Sequence, residues 1–399
     1  MIEDTPSTGA LALASAIRTG RITARVVTEQ VLDRVAATHP DLNAFTAVTA
    51  DRARAEAAAV DGALAAGCDP GPLAGVPYAV KNLFDLAGVV TVAGSRIQRS
   101  LPPATHDATV VERLRLAGGI CIGALNMGEY AYDFVTENAH DGPTRNPHDV
   151  ARSAGGSSGG CGAAVAAGLV PISIGTDTNG SIRVPSSFCG IWGLKPTYGR
   201  LSRAGSFPFV DSLDHVGPFA RSVADLAAAY DVLQGTDPRD PACAQRAVDP
   251  SLASLDAGLG GLRVATLGGY FEDTCPPPAR AAVTAVGAAL GLAGGERRIE
   301  LPQAALARAA AFIITAAEGG QLHLDRLRSQ ADAFDPACRD RLIAGALLPA
   351  AWYLQAQKFR AWYREQVSAL FDQVDILIAP ATPVPATRLG QQTLLLGGV

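Results

Sequence analysis

Residues 153–162 read Ser-Ala-Gly-Gly-Ser-Ser-Gly-Gly-Cys-Gly, and this glycine-rich run is the most informative part of the sequence. Such a run lets backbone amides approach a ligand and allows unusual backbone angles. A flexible linker would not lead directly into the apolar residues 163–167 and a strand predicted over 169–174. The run also lacks the G-x-x-x-x-G-K-[ST] spacing of a phosphate loop. We therefore interpret it as an ordered turn that carries chemistry.

A second stretch of small residues follows at 175–185, which reads Gly-Thr-Asp-Thr-Asn-Gly-Ser-Ile-Arg-Val-Pro. A predicted strand ends here, and Ser181 follows two residues, Asn179 and Gly180, that readily adopt positive φ. The backbone N–H groups from Thr178 to Ser181 could converge on one point. That is the geometry that an oxyanion hole requires.

Lysine is rare in this chain, because only three of the 33 basic residues are lysines: Lys81, Lys195 and Lys358. Arginine stays protonated under ordinary conditions, whereas a buried lysine can lose its proton and act as a base. Each lysine is therefore a candidate for a position that needs a neutral amine. Lys81 directly follows a short buried strand predicted within residues 71–80.

Composition excludes several classes of protein. The 399 residues are 48% hydrophobic and 18% charged, which allows a large core, and the net charge of −5 gives no basic surface for nucleic acid. No stretch approaches the ~20 apolar residues of a membrane span. Residues 1–5 lack the basic and apolar segments of a signal peptide. We expect a cytoplasmic protein that binds neither nucleic acid nor a membrane directly.

The cysteines and histidines give no metal pattern. The seven cysteines are scattered with no C-x-x-C pair, and the six histidines include no H-x-x-x-H pair on a helical pattern. We expect no metal and no cofactor. Cys161 and Cys189 lie near the glycine-rich stretches, but neither has a basic residue within two positions, which disfavours a cysteine nucleophile.

Helices and strands alternate along most of the chain, which is typical of an α/β protein. Helices are predicted over 8–19, 23–37, 50–66, 107–116, 163–167, 223–233, 278–292, 304–318 and 352–371. Further strands are predicted over 119–123, 262–267, 297–301 and 375–380. No linker is rich enough in Gly, Pro or Ser to separate domains. We favour one domain over 1–399, with a helical layer at about 1–66 and a core at about 71–235.

These motifs resemble those of the amidase signature family, serine hydrolases that cleave C–N bonds of amides. The resemblance includes the strand ending at Lys81, both glycine-rich stretches and the continuation over 188–200. Ser181 follows Ser157 by 24 residues, which is the family's spacing. The resemblance covers most of the chain and implies the amidase-signature fold, a large mixed β-sheet flanked by helices.

The resemblance also implies a Ser-Ser-Lys triad, with Ser181 as nucleophile, Ser157 as bridging hydroxyl and Lys81 as base. In the family the peptide bond before the bridging serine is cis. A serine hydroxyl needs a proton acceptor, and no His/Asp pair lies near Ser181. Desolvation could lower a lysine pKa from about 10.4 toward neutrality. We interpret Ser158 as a hydrogen-bonding neighbour, and Lys195 as a partner in a structural salt bridge.

Specificity is expected in the segment 130–148, which mixes aromatic, hydroxyl and cationic groups suited to a small, polar substrate. The alternative is an ordinary surface loop with an Asn-Pro turn. The candidates for substrate contact or for bracing the site are Tyr132, Thr136, Arg145, Asp177 and Arg183. Asp177 and Arg183 could form an ion pair, and Arg145 or Arg183 could hold a substrate carboxylate.

Within the family, residues 177–189 and 200–209 resemble the carboxybiuret hydrolase branch of s-triazine breakdown. Asn179 is informative because many relatives have glycine there. The resemblance implies cleavage of a carboxylated linear urea derivative, release of ammonia and a small helical partner subunit in a homo- or hetero-oligomer.

Three other readings stay open at this point. The glutaminase-type subunit of tRNA-dependent amidotransferases resembles the same motifs, and it would pass ammonia to a large partner. A general small-amide amidase is the second. The third is a non-catalytic or fragmentary member, because the chain ends at 393–399 where relatives usually continue for tens of residues, so the C-terminal section looks shortened.

Overall fold

The computed structural model describes residues 8–273, 275–292, 297–391 and 393. They form two compact units. The first contains the chain up to Leu255 together with Asp332–Cys338, and the second contains Asp256–Ala331 and the chain from Arg339 onward. This division is not visible in the sequence, because the chain passes between the units within or beside helical turns rather than in a Gly/Pro-rich linker. The single amidase domain over 1–399 stays a prediction.

A mixed sheet lies at the centre of the first unit. Its strands and those of two small hairpins are β1 (Phe45–Val48), β2 (Pro77–Lys81), β3 (Ile120–Leu125), β4 (Glu137–Asn138), β5 (Gly142–Pro143), β6 (Arg145–Asn146), β7 (Asp149–Ser153), β8 (Ile172–Asp177), β9 (Trp192–Gly193) and β10 (His215–Ala220). Six of them form the sheet in the order β1-β3-β2-β8-β10-β9. β2 runs parallel to β3 and β8, and the other pairs are antiparallel. The predicted α/β class with a mixed sheet is confirmed.

The central strands bring the two glycine-rich stretches to one edge of the sheet. Every residue of β2, β3 and β8 is buried, as expected for parallel strands covered on both faces. Val80 aligns with Ile174 across the β2–β8 pair. Because parallel strands end at the same edge, Lys81 at the end of β2 lies beside the last residues of β8.

Seven helices surround this sheet in the described part of the first unit: α1 (Ala10–Arg18), α2 (Ala24–Leu42), α3 (Ala50–Ala65), α4 (Thr109–Leu116), α5 (Gly159–Ala166), α6 (Arg183–Cys189) and α7 (Val223–Leu233). The first three form the predicted N-terminal helices. Their apolar side chains pack with those of the sheet and of α5 in one buried cluster that includes Val31, Ala57, Ile122 and Val165.

Three elements near the site differ from the prediction. α5 begins at Gly159, inside the glycine-rich run, and β8 extends to Asp177 rather than ending at Ile174. α6 was not predicted, because the small residues of this stretch were interpreted as a turn. Pro185 lies in the first turn of that helix, where a missing N–H removes no helical hydrogen bond.

The second unit contains a parallel three-stranded sheet. Its strands are β11 (Val264–Leu267), β12 (Arg298–Ile299) and β13 (Ile376–Ile378), in the order β12-β11-β13. The later helices are α8 (Tyr270–Asp273), α9 (Pro277–Ala289), α10 (Ala304–Leu322), α11 (Leu324–Gln330), α12 (Pro336–Ala346) and α13 (Ala350–Leu370). The three predicted strands are present but shorter than expected. In the described part of the chain, no helix combines the length and the apolar character needed to span a membrane.

Candidate active site

Lys81 is completely buried at the end of β2. Its Nζ lies 2.8 Å from Ser157 Oγ and 2.9 Å from Thr176 Oγ1. Burial lowers the pKa of Lys81 to about 8, although nearby acidic groups oppose this shift. About a tenth of such amines are neutral at pH 7. Lys81 is therefore able to accept a proton from a hydroxyl.

The two serines of the glycine-rich run have different partners. Ser157 faces Lys81, follows a cis peptide bond from Gly156 and is completely buried. Ser158 Oγ donates to the carbonyl of Thr176 at 3.1 Å and accepts from its N–H at 3.4 Å. Ser158 thus fastens the run to β8 and makes the neighbouring hydrogen bonds that we expected of it.

Asp177 holds the turn that carries Ser181. Its buried carboxylate accepts from the N–H of Gly180 at 2.7 Å and of Ile182 at 3.1 Å, and it forms an ion pair with Arg183 at 2.8 Å. Burial alone would raise the pKa of Asp177. The hydrogen bonds and charge of Arg183, together with the backbone N–H groups, outweigh burial and hold that pKa below its usual range. The carboxylate is thus ionised at neutral pH and fixes the start of α6.

The predicted oxyanion hole needs a correction. Its four N–H groups were those of Thr178, Asn179, Gly180 and Ser181, but the Gly180 N–H donates to Asp177. A donor held by a buried carboxylate is not available to a second anion. The other three residues stay candidates for this role.

Thr178 is fixed by a second buried carboxylate. Its Oγ1 donates to Asp214 Oδ1 at 2.6 Å, while Asp214 Oδ2 accepts from the N–H groups of Phe209 and Val210. Burial raises the pKa of Asp214, and these donors oppose the shift. The turn before Ser181 is therefore held at both ends by aspartates.

Ser181 lies between Gly180 and the residues that begin α6, and it is almost completely buried. Within the described ranges its side chain makes no hydrogen bond, so the Ser157–Ser181 bond of the predicted relay is not formed in this structure. Catalytic hydrogen bonds are often long before substrate binds. Of the two hydrogen bonds that the predicted relay requires, the structure thus contains the one between Lys81 and Ser157.

Close packing nevertheless brings the two serine loops together. A Cβ atom added to Gly155 would lie 2.7 Å from Pro185 Cα in α6, and one added to Gly156 would lie 2.5 Å from the backbone N of Val135. One added to Gly180 would lie 3.4 Å from the Phe134 ring. The segment around residues 134–135 therefore contacts both loops, and at Gly156 it leaves no room for a side chain.

The predicted specificity segment is ordered rather than an irregular loop, because it contains β4, β5 and β6. The Tyr132 ring packs against Phe209 with centroids 4.8 Å apart. Thr136 is buried, and its Oγ1 accepts from the Gly159 N–H at 3.1 Å, so it supports the glycine-rich run. Phe134 is 38% exposed beside Gly180, which leaves its ring accessible at the turn of Ser181.

The predicted cationic residues have other partners. Arg145 donates to the Val150 carbonyl of its own hairpin at 2.9 Å, and Arg183 is paired with Asp177. The predicted salt bridge of Lys195 is wrong: its Nζ donates to the Pro196 carbonyl at 3.2 Å, and no carboxylate of the described residues lies within 4 Å. Burial, followed by the charge of Arg183, lowers the pKa of Lys195.

Thr176 is the residue that sequence reasoning missed, although it contacts Lys81 directly. Only the pairing of β2 with β8 brings the two together, and that topology is not visible in one sequence. A cavity of about 10 Å³ lies beside Thr176 and Thr178 and also touches Arg203, Ser206 and Asp214. It has room for about one water molecule, so it is too small for an amide substrate.

The cysteines near the site are poor nucleophiles. Cys161 and Cys189 are buried, and burial raises the pKa of each thiol to about 12. Both thiols are protonated at neutral pH. Among the residues with described positions, no cluster of three or more His, Cys, Asp or Glu side chains is placed to hold a metal ion.

Comparison with known proteins identifies the family of this chain. A family model described as Amidase matches residues 26–397. The chain is 57% identical over 382 residues to the AtzE subunit of 1-carboxybiuret hydrolase from Pseudomonas sp. (strain ADP), covering 96% of this chain and 83% of that relative. It is 40% identical over 406 residues to a glutamyl-tRNA(Gln) amidotransferase subunit of Chromohalobacter salexigens, covering 95% of this chain and 83% of the relative.

A solved structure agrees with these relatives. It is described as an unexpected vestigial protein complex that reveals the evolutionary origins of an s-triazine catabolic enzyme. The two chains superpose with a TM-score of 0.96 at 55% identity, over 98% of this chain and 85% of that one. The fold is thus the predicted amidase-signature fold, and the chain belongs to the amidase signature family of hydrolases that cleave C–N amide bonds.

Proposed function

We propose that this protein hydrolyses a C–N bond of a small carboxylated linear urea derivative, of the 1-carboxybiuret type, and releases ammonia. The observation that carries the chemistry is the buried hydrogen bond of 2.8 Å between Lys81 and Ser157. The observation that favours this substrate class is the 57% identity to a 1-carboxybiuret hydrolase subunit over nearly the whole chain.

In the first half of the reaction, Ser181 Oγ attacks the substrate carbonyl carbon. The Ser181 proton passes to Ser157, and the Ser157 proton passes to Lys81 Nζ, so that no alkoxide has to form in a buried site. The N–H groups of Thr178, Asn179 and Ser181 stabilise the oxyanion. Lys81 then returns a proton through Ser157 to the leaving nitrogen, the C–N bond breaks and ammonia leaves.

In the second half, water attacks the acyl group on Ser181. Its proton takes the same route through Ser157 to Lys81, and collapse of the tetrahedral intermediate returns a proton to Ser181 Oγ. The product carries the new carboxyl group. One base thus serves both halves, which requires an amine whose pKa lies near the working pH, as that of Lys81 does.

Substrate contacts are proposed for the accessible surface next to Ser181. Phe134 offers an exposed ring beside Gly180, and Tyr132 lies on the same segment. Arg183 keeps a half-exposed guanidinium while it pairs with Asp177, so it is the better candidate of the two predicted arginines for a substrate carboxylate. The guanidinium of Arg145 instead donates to the backbone carbonyl of Val150 in its own hairpin.

We also propose that the chain works with a small helical partner subunit in a hetero-oligomer. The support is the similar solved structure, which is described as a protein complex. Size-exclusion chromatography with light scattering should give a mass above that of one chain when a candidate partner is co-expressed. A single-chain mass together with full activity would contradict the need for a partner.

A glutaminase is the second candidate, because a glutamyl-tRNA(Gln) amidotransferase subunit is 40% identical. The test is an ammonia-release screen over carboxybiuret, biuret, allophanate, malonamate, glutamine and aliphatic amides. We expect the highest kcat/KM with carboxybiuret. Preference for glutamine would favour the amidotransferase reading, and equal activity on all amides would favour a general amidase.

A further inference from the structure

We propose that Thr176 is a positioning residue for the base: its hydroxyl orients the Lys81 amine so that the nitrogen lone pair faces Ser157. The inference rests on the proposed roles of Lys81 and Ser157. It adds a fourth side chain to the proton relay, one that neither reacts nor touches the substrate.

Two hydroxyl oxygens lie next to the amine at almost equal distances, 2.8 Å for Ser157 and 2.9 Å for Thr176. A neutral amine has two N–H donors and one lone pair. For Lys81 to act as a base, Ser157 must donate to the lone pair, so an N–H group must find its acceptor elsewhere. Thr176 Oγ1 is that acceptor.

Without the Thr176 hydroxyl, the amine would rotate to donate an N–H to Ser157 Oγ. That hydrogen bond has the wrong direction for removing the Ser157 proton. It also competes with the productive one, because both use the same pair of atoms.

Thr176 is held rigidly enough for this role. Its backbone N–H and carbonyl both bond to Ser158 Oγ, and the residue pairs with Val216 of β10. A threonine side chain has few allowed χ1 rotamers because it is branched at Cβ. The position of Oγ1 is therefore fixed by the same serine run that supplies Ser157.

The charges around Lys81 do not depend on Thr176. They come from Asp133 on the segment after β3, Asp214 before β10 and Asp177 at the end of β8, and all three favour the protonated amine. Cys161 in α5 also faces the amine, but burial raises the pKa of its thiol to about 12, so it stays neutral over the pH range of the test. Replacing Thr176 by valine leaves these groups in place. It removes one acceptor that stabilises the ammonium form, so the pKa of Lys81 should fall.

The test measures the rate of labelling by a fluorophosphonate probe from pH 6 to pH 10 in the wild type, Thr176→Val and Thr176→Ser. Valine has the shape of threonine without the hydroxyl, and serine keeps the hydroxyl. We expect Thr176→Val to lower the plateau rate at least tenfold and to move the rise in rate to lower pH. Thr176→Ser should stay within threefold of the wild type.

Ser173→Ala is the matched control, because Ser173 is a buried hydroxyl on the same strand that bonds to the Cys161 carbonyl instead of Lys81. It should label like the wild type. An unchanged pH profile in Thr176→Val would overturn the proposal, and so would equal losses in Thr176→Val and Thr176→Ser. The probe reports on the nucleophile whatever the natural amide is, so failure of the substrate proposal would not imitate either result.

Discussion

Two lysines adjoin the glycine-rich loops, and their surroundings give them different chemistry. Lys81 contacts two hydroxyls in a completely buried site, and burial brings its pKa to about 8. Lys195 donates to a backbone carbonyl, which has no proton to give. Only Lys81 can therefore pass protons between side chains. The scarcity of lysine in the sequence drew attention to both residues, but only the structure separates their roles.

Lys81→Ala should lose activity in a pH-dependent way. Activity of the wild type should rise with pH through about 8, as the amine loses its proton. In the variant we expect kcat/KM to fall about a thousandfold at pH 7, the middle of the range for a general base, and less at pH 10, where hydroxide assists. The measurement is the pH profile of ammonia release. A loss that is the same at every pH would argue against the role as base.

Phe134→Leu should weaken substrate binding, because leucine fills a similar volume but has no planar face next to Gly180. Loss of an aromatic contact of about 1 kcal/mol corresponds to a rise in KM of about fivefold, with kcat nearly unchanged. Steady-state kinetics with the best amide of the screen gives both constants. Phe371→Leu is the control, because Phe371 is similarly exposed but belongs to the second unit. A fall in kcat without a change in KM would place Phe134 outside the substrate contacts.

At the scale of elements, the turn between β8 and α6 depends on Asp177. One carboxylate accepts hydrogen bonds from two positions of the turn and pairs with Arg183, so strand, turn and helix are joined through a single side chain. The residue pattern predicted the ion pair. The bonds to backbone N–H groups were not predicted, because they follow from α6, a helix that the sequence did not reveal.

Asp177→Asn should lower the free energy of unfolding by about 2 kcal/mol at pH 7, because the N–H groups of Gly180 and Ile182 lose a buried charged acceptor and the half-exposed Arg183 loses its partner. The folded-state pKa of Asp177 lies below its unfolded value. Its contribution is therefore present above about pH 4 and is lost as the pH falls through the folded pKa. Urea unfolding at pH 7 and at several pH values below 4 measures the difference between wild type and variant, which should shrink as the pH falls below about 4.

Asp325→Asn is the matched control for this substitution, because Asp325 is fully exposed and its ion pair with Arg328 spans 3.7 Å. It should change stability by less than about 0.5 kcal/mol. An Asp177→Asn protein as stable as the wild type would show that the turn is held by other contacts.

Most of the local patterns predicted their elements correctly, and the failures are one helix next to a glycine-rich turn and features that depend on distant partners. The three N-terminal helices follow from apolar spacing, and β2, β3 and β8 follow from short buried runs. α6 was missed because the small residues of its stretch were interpreted as a turn, and β10 was missed because its pairing partner β8 lies far away in sequence. The contact of Thr176 with Lys81 was missed for a similar reason, because it depends on the pairing of β2 with β8, which are far apart in sequence.

At the scale of the whole molecule, the chain passes from the first compact unit to the second near Leu255. The residues from about 244 to 263 are mostly exposed and contain one short 3-10 helix, Leu252–Ala257. The sequence here is not rich in Gly, Pro or Ser along its whole length, so composition did not mark a boundary. In the structure, the boundary is marked by the exposure of this segment and by its lack of strand pairing.

Limited trypsin digestion should cut first after Arg246, because proteases select exposed segments without regular structure. Arg263 lies at the end of the same segment but is paired with Asp375 at 2.9 Å, so it should be cut later. Mass spectrometry of the early fragments identifies the site. An early cut after Arg145 or Arg152 instead would show that the hairpin near the active site is the less stable part.

The central claim is that Ser181 is the nucleophile of a relay whose base is Lys81. Peptide mapping after labelling with a fluorophosphonate probe tests it most directly, in the wild type and in Ser181→Ala with the fold checked by circular dichroism. We predict that the wild type carries the label on Ser181 alone and that Ser181→Ala, folded as the wild type, carries none. A label on any other residue of folded Ser181→Ala would contradict the account.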